Sequence, residues 1–427
     1  MTIAAIVSVP LCIAAPACAV APPPIDDSRL PKADPARPPT PTVQRDICAM
    51  PSLDRAAATS QLSGLDLQQA WGLSRGAGQR VAVIDTGVAP HPRLPRLVAG
   101  GDYVSTGDGL QDCDGHGTAV AGIIAATAES HRADAFSGVA PEAGLISIRQ
   151  SSTRFGAARD SAASGFGDVD TMARAVRTAA DMGASVINIS SVACARDDAT
   201  LDDRPLGAAL AYAVDIKNAV VVTAAGNAGA GQCAADTTVV SPAWYDEFVL
   251  TVGSVDANGE PSSFTLAGPW VDVAAPGEGV ISLSISGNGL ANTVAGKHSS
   301  TALVGTSFAA PVVSGLAALI RSRFPTWTAR QVMQRIKTTA QHPPGGWNPR
   351  VGAGVVDVLA AVSTDTPAPS ASPTSRPVAT PRPPQSPDHR PRNTALVGAA
   401  ICGIGFAAML TGGLIRGRLR RRNIPCD

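Results

Sequence analysis

The chain has 427 residues, room for two or three average domains or for one large α/β domain with its tethers. Lys plus Arg and Asp plus Glu number 34 each, so no net field draws nucleic acid, and no predicted helix carries a basic stripe. A nucleic-acid partner is excluded on those grounds.

Residues 2–19 are uncharged and apolar, and Ala17-Cys18-Ala19 fits the small-x-small pattern cut by signal peptidase. Residues 1–19 therefore predict an export signal, although the usual positive start is missing. Residues 20–76 predict a Pro-rich N-terminal extension, with prolines crowded between 20 and 42. Short β-branched runs then alternate with alanine-rich helical patterns, which predicts a parallel sheet covered by helices. Strands are expected over 81–85, 145–149, 185–189, 220–224 and 249–254, and helices over 117–126, 169–182, 206–217, 307–324 and 328–340. Within 169–182, Val169, Met172, Ala173, Val176, Ala179 and Ala180 share one helical face that can pack on a sheet. Residues 151–168, rich in Ser, Ala, Gly and Arg, predict a long surface insertion.

The expected folded body spans 77–362, and a Pro/Ser/Thr-rich linker over 363–393 follows as a semi-rigid stalk. Residues 394–415 carry no charge, and as a helix they would extend about 33 Å, one bilayer crossing. Arg416, Arg418, Arg420, Arg421 and Arg422 crowd the tail, 416–427, and orient it toward the cytoplasm. The body is thus expected outside the cell membrane on a single-pass anchor. Ala395, Ala399, Gly403 and Ala407 recur every fourth residue on that anchor, a stripe that would admit a partner helix.

Four residues carry candidate chemistry. Asp85 ends the run Val81-Ala82-Val83-Ile84 and precedes Thr86-Gly87, at the carboxyl edge where α/β sheets bind ligands; a cap or turn role is the alternative. His116 opens a helix in Asp114-Gly115-His116-Gly117-Thr118, and its spacing from Asp112 and Asp114 matches no usual zinc set. Asn227 ends Ala224-Ala225-Gly226-Asn227, just beyond a strand, where a turn role is the alternative. Ser307 follows a glycine turn in Gly305-Thr306-Ser307-Phe308-Ala309-Ala310-Pro311. It suits an N-cap, and equally a nucleophile beside the positive end of a helix.

In the order Asp, His, Asn, Ser these motifs resemble the subtilisin-like serine proteases, peptidase family S8. Flanking blocks extend the likeness over 78–358: Gly138-Val139-Ala140-Pro141, Val186-Ile187-Asn188-Ile189-Ser190 and Val273-Ala274-Ala275-Pro276-Gly277. The resemblance implies a three-layer α/β fold with a mainly parallel central sheet, and an endopeptidase acting on proteins or peptides through an acyl-enzyme. It implies Ser307 as nucleophile, His116 as general base, Asp85 as its partner and Asn227 as oxyanion donor. No cofactor is expected, and no acidic loop of this chain stands out as a metal site, although subtilisins often bind calcium. The family often places glycines after Asn188-Ile189-Ser190, where this chain has Ser191-Val192-Ala193, so side chains are expected to narrow the substrate pocket. Phe308 and Val312 also depart from the secreted enzymes. The whole layout, from signal to basic tail, is similar to that of the mycosins, membrane-bound subtilases of type VII secretion systems. That narrower resemblance implies processing of secreted proteins and docking on membrane secretion-complex subunits; a mainly structural role in that complex is the alternative.

Of eight cysteines, Cys12 and Cys18 fall in the signal, and Cys402 and Cys426 in the anchor and tail. The other four, in an exported domain, favour two disulfides out of three possible pairings. Cys194 and Cys233 follow strands expected to be neighbours and are paired on that ground, which leaves Cys48 with Cys113. The second bond would strap the extension beside His116 as a lasting brace rather than a removable inhibitor.

Overall fold

The computed structural model describes residues 21–363, apart from 56–59, 129–133, 135, 161–164, 197–200, 232, 235–236, 238 and 296–299. The expected signal, most of the stalk, the anchor and the tail lie outside the described residues. Among the described residues no helix is long and apolar enough to cross a membrane.

Seven strands form the central sheet: β1 (Arg80–Asp85), β2 (Leu97–Asp102), β3 (Gly144–Arg149), β4 (Val186–Ile189), β5 (Val220–Ala224), β6 (Leu250–Val255) and β7 (Val273–Pro276). Their spatial order is β7-β6-β5-β4-β1-β3-β2, and every neighbouring pair is parallel. Consecutive residues of β1, β4, β5 and β6 are buried, so both faces of the sheet are covered. β1 is the pivot. Strands β2 and β3 lie on one side of it and β4 to β7 on the other, and the crevice at such a switch point is where α/β sheets bind ligands.

The covering helices are α1 (His116–Ala125), α2 (Val169–Asp181), α3 (Arg204–Ala211), α4 (Thr306–Arg323) and α5 (Ala329–Thr339). α1 packs on α4, and α2 packs on α3. Asp168 caps α2 by accepting from Thr171 N–H, while the Thr171 hydroxyl returns a bond to the cap; Thr328 and Gln331 do the same for α5. α4 is buried from Thr306 to Ile320, as its apolar composition on all sides requires. The helix expected over 206–217 is instead α3 followed by a π-helical turn, Tyr212–Ile216.

Strands β2 and β7 were not legible as strands. Both are edges of the sheet. β2 reads Leu-Val-Ala-Gly-Gly-Asp, with a register shift between Ala99 and Gly101, and its two glycines hide the strand pattern. β7 is short and ends in Pro276, which only an edge tolerates.

The extension lies along this body at several points. Thr42–Gln44 pairs antiparallel with Phe155–Ala157 of the insertion, and Pro51–Ser52 pairs with Thr293–Val294. Cys48 is bonded to Cys113 with a Cα–Cα distance of 4.5 Å, and Cys194 to Cys233 with 5.1 Å. Residues 60–76, counted with the extension on sequence, contribute Leu62, Leu65, Leu67 and Ala70 to the main core. There the Trp71 indole N–H donates to Val139 O at 2.8 Å and the Ser74 hydroxyl to Leu319 O at 2.8 Å.

Candidate active site

Asp85 is the last residue of β1 and only 3 % exposed. His116 is the first residue of α1, and the helix start presses so closely on the loop after β1 that a Cβ on Gly117 would lie 2.0 Å from Gly87 O. Glycine at 117 is thus required for the histidine to reach Asp85. Ser307 is the second residue of α4, entered through Gly305 at φ 148°, a backbone conformation that favours glycine.

These three residues, from β1, α1 and α4, meet in one line of hydrogen bonds. His116 Nδ1 is 2.7 Å from Asp85 Oδ1, and His116 Nε2 is 2.9 Å from Ser307 Oγ. The backbone N–H of Thr86 also donates to Asp85 Oδ1, at 2.7 Å. A carboxylate can only accept from Nδ1–H, and that tautomer leaves the Nε2 lone pair facing the serine hydroxyl. The Phe308 ring lies 5.0 Å from the imidazole, tilted by 44°. Burial pulls the His116 pKa down, but the charge and hydrogen bond of Asp85, helped by Asp112 and Asp114, outweigh it and hold the value above the ordinary histidine range. The arrangement can take a proton from Ser307 and stabilise the resulting imidazolium.

Asn227 stands opposite, beyond β5. Its Oδ1 accepts from the N–H and the hydroxyl of Thr306, both at 3.0 Å, which turns Nδ2 toward the serine. A Cβ on Gly305 would lie 3.1 Å from Asn227 Nδ2 and 3.2 Å from Ser307 Oγ, so the absence of a side chain at 305 keeps this corner open. The Ser307 N–H, in the first turn of α4, has no acceptor within the helix. Two donors thus flank the place where negative charge would grow on a carbonyl oxygen bound at Ser307.

Ser191, Val192 and Ala193 line a cavity of about 230 Å³ with Val169, Met172 and Leu206, and a Cβ on Gly226, next to Asn227, would meet Val192 Cγ2 at 3.2 Å. The side chains replacing the expected glycines therefore line this cavity.

Three contributors were not singled out on sequence. Thr306 orients Asn227, Thr86 holds Asp85, and Asp112 gathers five hydrogen bonds behind His116. Their only signal was position next to a motif. Asp114 is likewise engaged by Ser152 and Thr153 of the insertion, and among the described residues no group of three or more His, Cys, Asp or Glu side chains is placed to hold a metal.

Residues 76–354 match the subtilase family, Peptidase_S8. The chain is 59 % identical to Mycosin-4 of Mycobacterium tuberculosis over 431 residues, covering 96 % of this chain and 94 % of that one. Among solved structures, a MycP3 protease from a type VII (ESX-3) secretion system superposes with a TM-score of 0.73 at 47 % identity, over 81 % of this chain and all of that one. A chain of an intact ESX-5 inner membrane complex does so at 0.76 and 42 % identity, over 94 % of this chain and 100 % of the other. Fold, motif order and these likenesses agree, and the chain belongs to the subtilase family of serine endopeptidases, among the mycosins.

Proposed function

We propose that Ser307, His116, Asp85 and Asn227 carry out peptide-bond hydrolysis, and that the protein is a membrane-tethered protease of a type VII secretion system. The observation that carries the catalytic reading is the unbroken line from Asp85 through His116 to Ser307, at 2.7 and 2.9 Å. Ser307 Oγ attacks the substrate carbonyl carbon while its proton passes to His116 Nε2. The oxyanion is held by Asn227 Nδ2 and the Ser307 N–H. Collapse breaks the C–N bond, and the amine leaves with the proton from His116. Water, deprotonated by the same imidazole, then releases the acyl group.

The secretion role is supported by the relatives, which include proteases and complexes of that system. We assign 1–19 as export signal, 20–76 as extension, 77–362 as peptidase domain, 363–393 as linker, 394–415 as anchor and 416–427 as cytoplasmic tail. The paired strands and the Cys48–Cys113 bond support an extension that stays attached as a brace. Docking on secretion-complex subunits is a second role, supported by the relative found within an inner membrane complex.

The test compares fluorophosphonate labelling of the full-length protein and of Ser307→Ala, together with new N-termini in culture filtrates of the two strains. Labelling confined to the parent is expected. Equal labelling refutes the nucleophile, and lost processing with intact secretion assigns catalysis and docking to different parts.

A further inference from the structure

α1 begins with no cap of its own. Its N-cap is Gly115, in the left-handed region at φ 77°, and no side chain at that position satisfies the first N–H groups of the helix. The missing acceptors come from Asp112, four residues before His116 and 8 % exposed. Asp112 Oδ2 accepts from the Thr118 N–H at 2.9 Å and from its hydroxyl at 2.7 Å. Oδ1 accepts from the Gly115 N–H at 2.8 Å, the Asp114 N–H at 3.1 Å and the Thr86 hydroxyl at 2.9 Å. Thr86 Oγ1 accepts in turn from the Gly117 N–H at 2.9 Å.

Thr86 also donates its N–H to the oxygen of Asp85 that meets His116. The loop after β1 and the first turn of α1 are therefore closed into one ring by a single buried carboxylate. Its neighbours leave it little freedom: Cys113 is bonded to Cys48 and its carbonyl accepts from the Ala49 N–H, while Asp114 is held by Ser152 and Thr153.

We propose that Asp112 is a positioning residue for catalysis, which caps α1 from outside the helix and fixes His116 between Asp85 and Ser307. The inference rests on the catalytic reading above. A carboxylate at a helix N-terminus is favoured by the helix dipole, and here it also acts on the first helical residue, His116. The carboxylates acting on His116 are Asp85 at the end of β1 and Asp112 and Asp114 in the loop before α1; from α4 it meets the Ser307 hydroxyl and the uncharged Phe308 ring. Burial pushes Asp112 itself up to about 6, against the pull of its donors. Its loss removes a negative charge that raises the His116 pKa, so the acid limb of reactivity must move to lower pH.

The test uses the full-length protein in detergent and a fluorophosphonate probe, reading the maximal inactivation rate, the probe affinity and the pH dependence of the rate. Asp112→Asn keeps the shape but presents an amide N–H to a site built of donors. Its maximal rate is expected to fall about 10- to 100-fold with affinity little changed, since misplacing a catalytic group has effects of that size. Its acid limb is expected at lower pH than the parent's. Thr86→Val removes the hydroxyl that joins Asp112 to the Gly117 N–H, so it should lower the rate, and it decides the matter if Asp112→Asn does not fold. A folded Asp112→Asn protein with parental rate and pH profile overturns the inference, as does a parental rate in Thr86→Val should Asp112→Asn not fold. A Ser307→Ala control that still reacts overturns the catalytic reading together with it.

Discussion

Replacing Asn227 separates two roles that its amide performs at once. Asn227→Ala removes Nδ2, a donor preorganised toward the oxyanion, and turnover is expected to fall about 100- to 1000-fold with KM little changed. It also removes Oδ1, on which the N–H and hydroxyl of Thr306 depend, and Thr306 is 1 % exposed. Leaving such a donor unpaired costs about 1–3 kcal/mol, so Asn227→Ala should also lose stability. Asn227→Asp parts the two effects. One carboxylate oxygen still accepts both Thr306 donors, so stability is spared, while the other meets the developing oxyanion with like charge. Asn227→Asp is therefore expected to be the better folded and the less active variant. The assay is turnover of a fluorogenic peptide by the full-length proteins in detergent, with thermal unfolding of each. An Asn227→Asp protein within about threefold of parental kcat would refute the oxyanion assignment, and one unfolding below Asn227→Ala would refute the role given to Thr306.

The pH dependence of kcat/KM carries a definite sign. Because Asp85, Asp112 and Asp114 outweigh burial, His116 stays protonated above its ordinary range, and kcat/KM should rise with pH through a pKa higher than about 6.5. An acid limb below that value would contradict the electrostatics described. The Cys48–Cys113 bond closes a separation of 65 residues, worth about 4 kcal/mol in the chain-entropy account. Cys48→Ser with Cys113→Ser should show a loss approaching that in chemical denaturation; a loss under about 1 kcal/mol would mean that the strand pairings of Thr42–Gln44 and Pro51–Ser52 hold the extension without the bond.

The elements with strong local signals were legible in the sequence. β1, β4 and β5 are short apolar, β-branched runs, and α2 has both a clean apolar face and a capping box, so pattern and tertiary environment agree. The four motif residues could be named one by one because each sits at a strand end or helix start, where glycine and small residues mark a turn. The export signal and the anchor expected from the sequence lie outside the described residues.

What only the tertiary structure decided is everything that depends on distance between elements. The edge strands β2 and β7 exist because neighbours β3 and β6 supply partners, which no local pattern records. Leu62, Leu65 and Leu67 follow a Pro-rich stretch, yet they belong to the main core, because burial is fixed by the surface they meet and not by their neighbours in sequence. The same holds at the catalytic centre. Asp112 and Thr306 look like ordinary loop and helix-start residues until folding brings Thr86, Gly115 and Thr118 onto one carboxylate and Asn227 onto Thr306. Hydrogen bonds act over about 3 Å, and only the closed chain sets that distance between residues far apart in sequence.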